Sequence, residues 1–124
     1  MLLCWKYAES TDGLQWTRNG GPILPPPDER EYAQARPSVV REPGCYRMWF
    51  ACRGDRYRLG YAESPDGNVW QRDDARAGLA TGSAGEWDAD MVTYPCVFDS
   101  DGTRYLLYNG NAYGRTGFGL AVLS

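Results

Sequence analysis

The sequence contains no histidine among its 124 residues. That absence excludes histidine triads, histidine general bases and every zinc site that needs an imidazole. Any chemistry therefore falls to carboxylates, Tyr, Lys, Arg or Cys. Cysteine is sparse as well. Cys4, Cys45, Cys52 and Cys96 show no CxxC spacing, which excludes a zinc knuckle or a thioredoxin-like motif, and buried free thiols are expected. No apolar run is long enough to span a bilayer, and the start, Met1-Leu2-Leu3-Cys4-Trp5, lacks a basic region ahead of an extended apolar stretch. Neither export nor membrane insertion is signalled, and a cytoplasmic location is expected. Positive charge is short: 13 Lys plus Arg stand against 16 Asp plus Glu, a net charge of −3, which leaves no footprint for a nucleic-acid backbone. Calcium loops of the EF-hand type, phosphate-cradling glycine loops and dinucleotide fingerprints are missing too, so no cofactor is expected and no metal ligands are placed.

Turn formers and aromatics are what the chain has in quantity. Fifteen Gly and 8 Pro alternate with 9 Tyr and 5 Trp, in a chain 43% hydrophobic, the ordinary globular range. Short strands between tight turns, an all-β fold, fit that composition better than helices. The chain also repeats itself. Tyr7-Ala8-Glu9-Ser10-Thr11-Asp12-Gly13-Leu14-Gln15-Trp16 recurs 54 residues later as Tyr61-Ala62-Glu63-Ser64-Pro65-Asp66-Gly67-Asn68-Val69-Trp70. Ala35-Arg36-Pro37-Ser38-Val39-Val40 aligns with Thr93-Tyr94-Pro95-Cys96-Val97-Phe98, and Tyr46-Arg47-Met48-Trp49-Phe50 with Tyr105-Leu106-Leu107-Tyr108-Asn109. A third partial copy begins at Gly117-Phe118-Gly119. The repeats run over about 5–58 and 59–117, with the partial copy reaching 124. That period suits the blade of a β-propeller.

One repeat holds four strands, at roughly 36–41, 45–52, 57–63 and 69–72. Ser-Pro-Asp-Gly at 64–67 and Ser-Asp-Gly at 100–102 supply the turns, so Asp12 and Asp66 read as turn residues, and Trp16, Trp49, Trp70 and Tyr108 as blade packing. The chain then holds the last two strands of one blade, four of the next and three of a third, a partial propeller of about two and a quarter blades. A five-bladed ring needs roughly 275 residues at this repeat length. Either a homo-oligomer, in the simplest case a dimer, or missing N-terminal blades would cover the open edges.

Tyr46-Arg47-Met48-Trp49-Phe50, Arg58-Leu59-Gly60-Tyr61-Ala62-Glu63-Ser64-Pro65-Asp66-Gly67 with Trp70, and Gly85-Glu86-Trp87-Asp88 leading to Tyr94-Pro95 resemble the five-bladed β-propeller glycosidases and their glycosylase-like relatives, in particular their C-terminal half. The resemblance implies a carbohydrate site at one mouth of the central channel, with carboxylates contributed by different blades. Glycosidic cleavage needs one protonated and one ionised carboxyl flanking the bond. The family's base or nucleophile usually comes from the first blade, which this chain lacks.

In such a propeller the innermost strand of each blade and the loop before it face the channel. Two matching segments qualify, Glu29–Pro37 and Gly85–Pro95. They make Glu31, Asp88 and Asp90 the candidate catalytic carboxylates, against the plain alternative of exposed loop carboxylates. Arg36 stands where the next repeat has Tyr94, placed to hold sugar hydroxyls or to form a structural ion pair with Glu31 or Asp90. Asn109, Asn111, Tyr113 and Arg115 form a polar and aromatic cluster suited to a sugar face, although a glycine-rich hairpin loop explains Asn109-Gly110-Asn111 equally well. Arg53-Gly54-Asp55 reads as a turn. Three classes follow: a glycoside hydrolase-like enzyme whose carboxyls converge to about 5–10 Å, a catalytically empty carbohydrate-binding module with Arg36 in its midst, and an assembly module that closes its propeller by self-association.

Overall fold

A computed structural model, which describes residues 3–123, folds into three antiparallel sheets. The first pairs β1 (Lys6–Glu9) with β2 (Thr17–Pro22). The second has four strands in sequence order, β3 (Ala33–Glu42), β4 (Cys45–Arg53), β5 (Tyr57–Ser64) and β6 (Gln71–Arg72). The third has three, β7 (Thr93–Ser100), β8 (Thr103–Asn109) and β9 (Phe118–Leu123). These are propeller blades, contributing two, four and three strands as the sequence indicates. Among the described residues no helix is long and apolar enough to cross a membrane.

The turns explain why the strands stop where they do. The Ser64 hydroxyl accepts the Gly67 N–H at 2.8 Å, and the Asp66 carboxylate accepts the N–H groups of Asn68 and Val69 at 2.8 and 2.9 Å. Ser10, Asp12, Gly13, Leu14 and Gln15 repeat the arrangement in the first blade. Backbone donors hold both aspartates below the usual carboxylate range, and the glycines supply the left-handed φ, +75° and +80°, that the turn requires. Asp12 and Asp66 are turn residues.

Two apolar layers hold the blades together. Met48, Phe50, Cys52 and Ala62 meet Leu24, with Trp5 and Trp70 against them and the Trp5 ring edge-on to Phe50 at 4.8 Å. On the opposite face of the second blade, Leu59, Tyr61 and Ala77 meet Val92 and Tyr108 of the third, flanked by Trp49 and Leu106. Period-two alternation sends Met48, Phe50 and Cys52 to one face and Trp49 to the other. The register pairs Phe50 with Gly60 and Tyr108 with Gly119, and a Cβ on either glycine would collide with the ring opposite. Tyr108 is therefore the counterpart of Phe50, one residue from the alignment that similarity of residue types suggests. The Ser38 hydroxyl accepts the Val97 N–H at 2.8 Å, and Arg104 reaches Glu42 at 2.7 Å, so polar ties also cross from the second blade to the third.

Trp16 and Trp70 occupy the same place in the repeated segment but not in the packing. Trp70 lies against the buried cluster, with its indole N–H on the Gly67 carbonyl at 2.9 Å, while Trp16 is 61% exposed. Trp70→Ala is expected to lower unfolding free energy by roughly 2–4 kcal/mol, and Trp16→Ala by less than about 0.5 kcal/mol. Paired urea titrations check this, and equal losses would contradict the packing described.

Candidate functional site

The innermost strands β3 and β7 begin at the same end of the sheets as the loops that follow β4 and β8. Arg30 packs its carbonyl near Gly54, and the Asn111 carboxamide oxygen accepts the N–H groups of Asp90 and Met91 at 2.8 and 3.0 Å. Both inner strands break register at the same place, between Ala35 and Ser38 and between Thr93 and Cys96. Proline is the cause. Pro37 and Pro95 have no N–H for the ladder, and the residue before each takes a left-handed φ, +50° at Arg36 and +55° at Tyr94. The two side chains meet, with the Arg36 guanidinium 5.1 Å from the centre of the Tyr94 ring.

Three tyrosines converge beside them. Tyr57 at the start of β5, Tyr94 on β7 and Tyr113 in the loop after β8 lie with ring centres 5.9–6.0 Å apart. Tyr113 also has a left-handed φ of +60°, next to Ala112 at +52°. Arg53, at the end of β4, lies 5.2 Å over Tyr57 and 5.8 Å over Tyr32, and donates to the Tyr113 hydroxyl at 3.2 Å. Tyr57 and Arg53 were not singled out from the sequence, where they look like ordinary hairpin residues. Only the stacking of blades brings them beside Tyr94 and Tyr113.

The candidate carboxylates separate into different environments. Glu31 is 3% exposed and takes both terminal nitrogens of Arg72 at 2.7 Å, Arg58 at 3.3 Å and the Gln34 amide at 3.1 Å. Arg72 in turn binds Asp74 at 2.7 Å and lies 5.0 Å over Phe50. Burial works against the Arg72 charge, but Glu31 and Asp74 together hold its pKa above the ordinary arginine value. Asp88 is buried and accepts the Tyr108 hydroxyl at 3.4 Å; burial first and then this carboxylate push the tyrosine up. A Cβ on Gly82 would strike Asp88 and Glu86 alike, so these two carboxylates close on one glycine. Glu86 was not anticipated. Asp90 is exposed, and no ion pair is formed by it among the described residues.

The remaining predicted residues divide similarly. Asn111 uses both ends of its amide within the loops, accepting from 90 and 91 and donating to the Glu86 carbonyl at 3.2 Å. Asn109 donates to the Tyr113 carbonyl at 3.3 Å. Arg115 is exposed, with no side-chain ion pair among the described residues. Arg36 pairs with neither Glu31 nor Asp90; it rests on Tyr94 instead. Burial pushes the Cys52 thiol up to about 12, which keeps it protonated and inert.

No protein-family model matches the chain. It is 47% identical over 118 residues to uncharacterized protein MT1551 of Mycobacterium tuberculosis strain CDC 1551 / Oshkosh, and equally to uncharacterized protein Rv1502 of strain H37Rv. The match covers 95% of this chain and 39% of each relative, so the chain spans about two fifths of their length. Among solved structures it is similar to Zg3597, a family 117 glycoside hydrolase of Zobellia galactanivorans, with a TM-score of 0.78 at 24% identity over 95% of this chain and 37% of that one. It is also similar to the Bombyx mori GH32 beta-fructofuranosidase BmSUC1, with a TM-score of 0.69 at 17% identity over 94% of this chain and 26% of that one. The shared element is the fold, a partial β-propeller.

Proposed function

We propose that this chain provides the sugar-holding face of a glycosidase-type propeller, with a saccharide seated at the channel mouth against Tyr94 and Tyr113, which the buried Tyr57 backs from beneath. The convergence of these three rings from three separate elements carries the reading. Tyrosine combines an apolar face, which covers the C–H face of a sugar ring, with a hydroxyl that bonds at its rim. Bond cleavage asks for more than this face supplies. Two carboxyls must flank the scissile bond, whereas Glu31 is spent on two guanidiniums and Asp88 lies under Tyr108. Asp90 is the candidate carboxylate exposed to a bound sugar, and its catalytic counterpart would come from a neighbouring blade.

A second observation favours assembly as part of the same function. Phe98, Phe118, Leu120 and Val122 are 40%, 75%, 56% and 53% exposed on the face of the third blade turned away from the second. An apolar face of this kind is an interaction surface, and a second copy of the chain is the proposed cover. Light scattering is expected to give a mass above that of one chain, falling to one chain in Leu120→Asp. A single-chain mass for the unaltered protein would remove self-association.

Binding is tested by titrating a panel of oligosaccharides and following calorimetric heat. Tyr94→Ala is expected to weaken the saccharide that binds by about tenfold or more, in line with roughly 1.4 kcal/mol per decade. No binding to any saccharide, or unaltered binding by Tyr94→Ala, would overturn the reading. Glu31→Gln should instead lower stability by roughly 1–3 kcal/mol, because it removes one of the two carboxylates on the buried Arg72 guanidinium while Asp74 remains, and leave saccharide affinity unchanged. Denaturant titration together with calorimetry separates the two effects.

A further inference from the structure

The arginines of this chain are unevenly paired. Arg30, Arg47, Arg58, Arg72, Arg76 and Arg104 each lie within 4.0 Å of a carboxylate. At the end where the inner strands begin, Arg36, Arg53, Arg56 and Arg115 form no ion pair among the described residues, and nor do Arg18 and Arg41 elsewhere, although the chain as a whole carries a net charge of −3. Arg36 rests on Tyr94, and Arg53 rests on Tyr57 and Tyr32. Resting on a ring positions a guanidinium without neutralising it and leaves its edge donors free. Arg53 Nε is moreover shielded from solvent and has no hydrogen-bond partner among the described residues, which is an unspent donor inside the cluster.

The neutral groups that would suit an uncharged sugar are committed elsewhere. The Asn111 amide stitches the 86–91 segment to its own loop, and the Asn109 amide nitrogen donates to the Tyr113 carbonyl. Beside the exposed Asp90 carboxylate, the groups left at this end are tyrosine rings edged by guanidinium forks. Such forks match a pair of oxygens on a carboxylate or sulfate, to which two parallel charge-assisted bonds can form.

We propose that the mouth selects an acidic saccharide, one whose carboxylate or sulfate lies against Arg36 and Arg53 while its ring packs on the tyrosines. This rests on the carbohydrate reading above and narrows its substrate class. An anion bound here is held by position, since the net charge of the protein repels it.

The test is calorimetric titration of the whole chain with three probes: tetragalacturonate, its fully methyl-esterified form, and a sulfated galactose tetramer. Esterification removes charge while preserving ring and linkage. The acid, the sulfated tetramer or both should bind saturably, with the ester at least tenfold weaker than the bound anion. Which anion binds tells carboxylate from sulfate. Arg36→Gln and Arg53→Gln should each weaken the anion about tenfold and leave the ester unchanged, with Arg53→Lys retaining part of the affinity if Arg53→Gln fails to fold. Equal binding of acid and ester would overturn the acidic class and leave the carbohydrate reading standing. Binding of none of the three by a chain that does bind a neutral saccharide of the wider panel would do the same, and binding of no saccharide at all would sink both. Anion affinity that survives both glutamine variants would also overturn the proposal.

Discussion

A propeller blade is one sheet thick and apolar on both faces, so it cannot bury itself. Each face needs a neighbouring blade, and most of the structure follows from that constraint. Phe50 and Met48 are buried because Trp5 and Leu24 of the first blade cover them; Tyr61 and Val92 are buried because the third blade lies across the second. At about 25 cal/mol per Å² of apolar surface, these inter-blade layers supply the main favourable term. Leu120 and Val122 point to the face that no described neighbour covers, and they are exposed for that reason. Repeated sequence therefore gives unlike burial, as Trp16 and Trp70 show.

The same constraint places the site. Stacking aligns the inner strands, and a proline in each forces the same break in register, so Arg36 and Tyr94 leave the sheet in the same manner one blade apart. This end of the sheets then carries residues in sparsely populated backbone conformations, Arg36, Tyr94, Ala112 and Tyr113. Each costs of order 1 kcal/mol or more, a strain that the tightly bonded loop around Asn111 and Thr116 sustains. Polar ties such as Ser38 to Val97 and Arg104 to Glu42 fix the angle between blades without adding to the apolar layers.

Blade order, strand count and turn chemistry were legible because they depend on local patterns: alternation, and Ser and Asp bonding to backbone two or three residues on. Facing was harder. Tyr46–Phe50 resembles Tyr105–Asn109 by residue type, yet a one-residue slip exchanges the two faces of a strand, and the glycines at 60 and 119 decide that Phe50 corresponds to Tyr108. Of the cluster proposed to hold a ligand, Tyr94, Tyr113 and Arg36 were singled out by their position on or after the inner strands. Arg53 and Tyr57 were not, since nothing in a short hairpin reports which blade it will touch.

Glu31 shows most clearly why charge chemistry escapes a linear reading. Its position before an inner strand is that of a catalytic carboxylate, but Arg72, 41 residues further on, saturates both of its oxygens. Removing that partner would leave a buried charge, while keeping it leaves no lone pair readily available to a substrate. The pair thus acts as a clamp across the second blade, joining the entry of its innermost strand to its outermost one. The carboxylate that stands where the resemblance implies catalytic machinery is thus a structural clamp, while Arg36 rests on Tyr94 and Arg53 donates to Tyr113 apart from it.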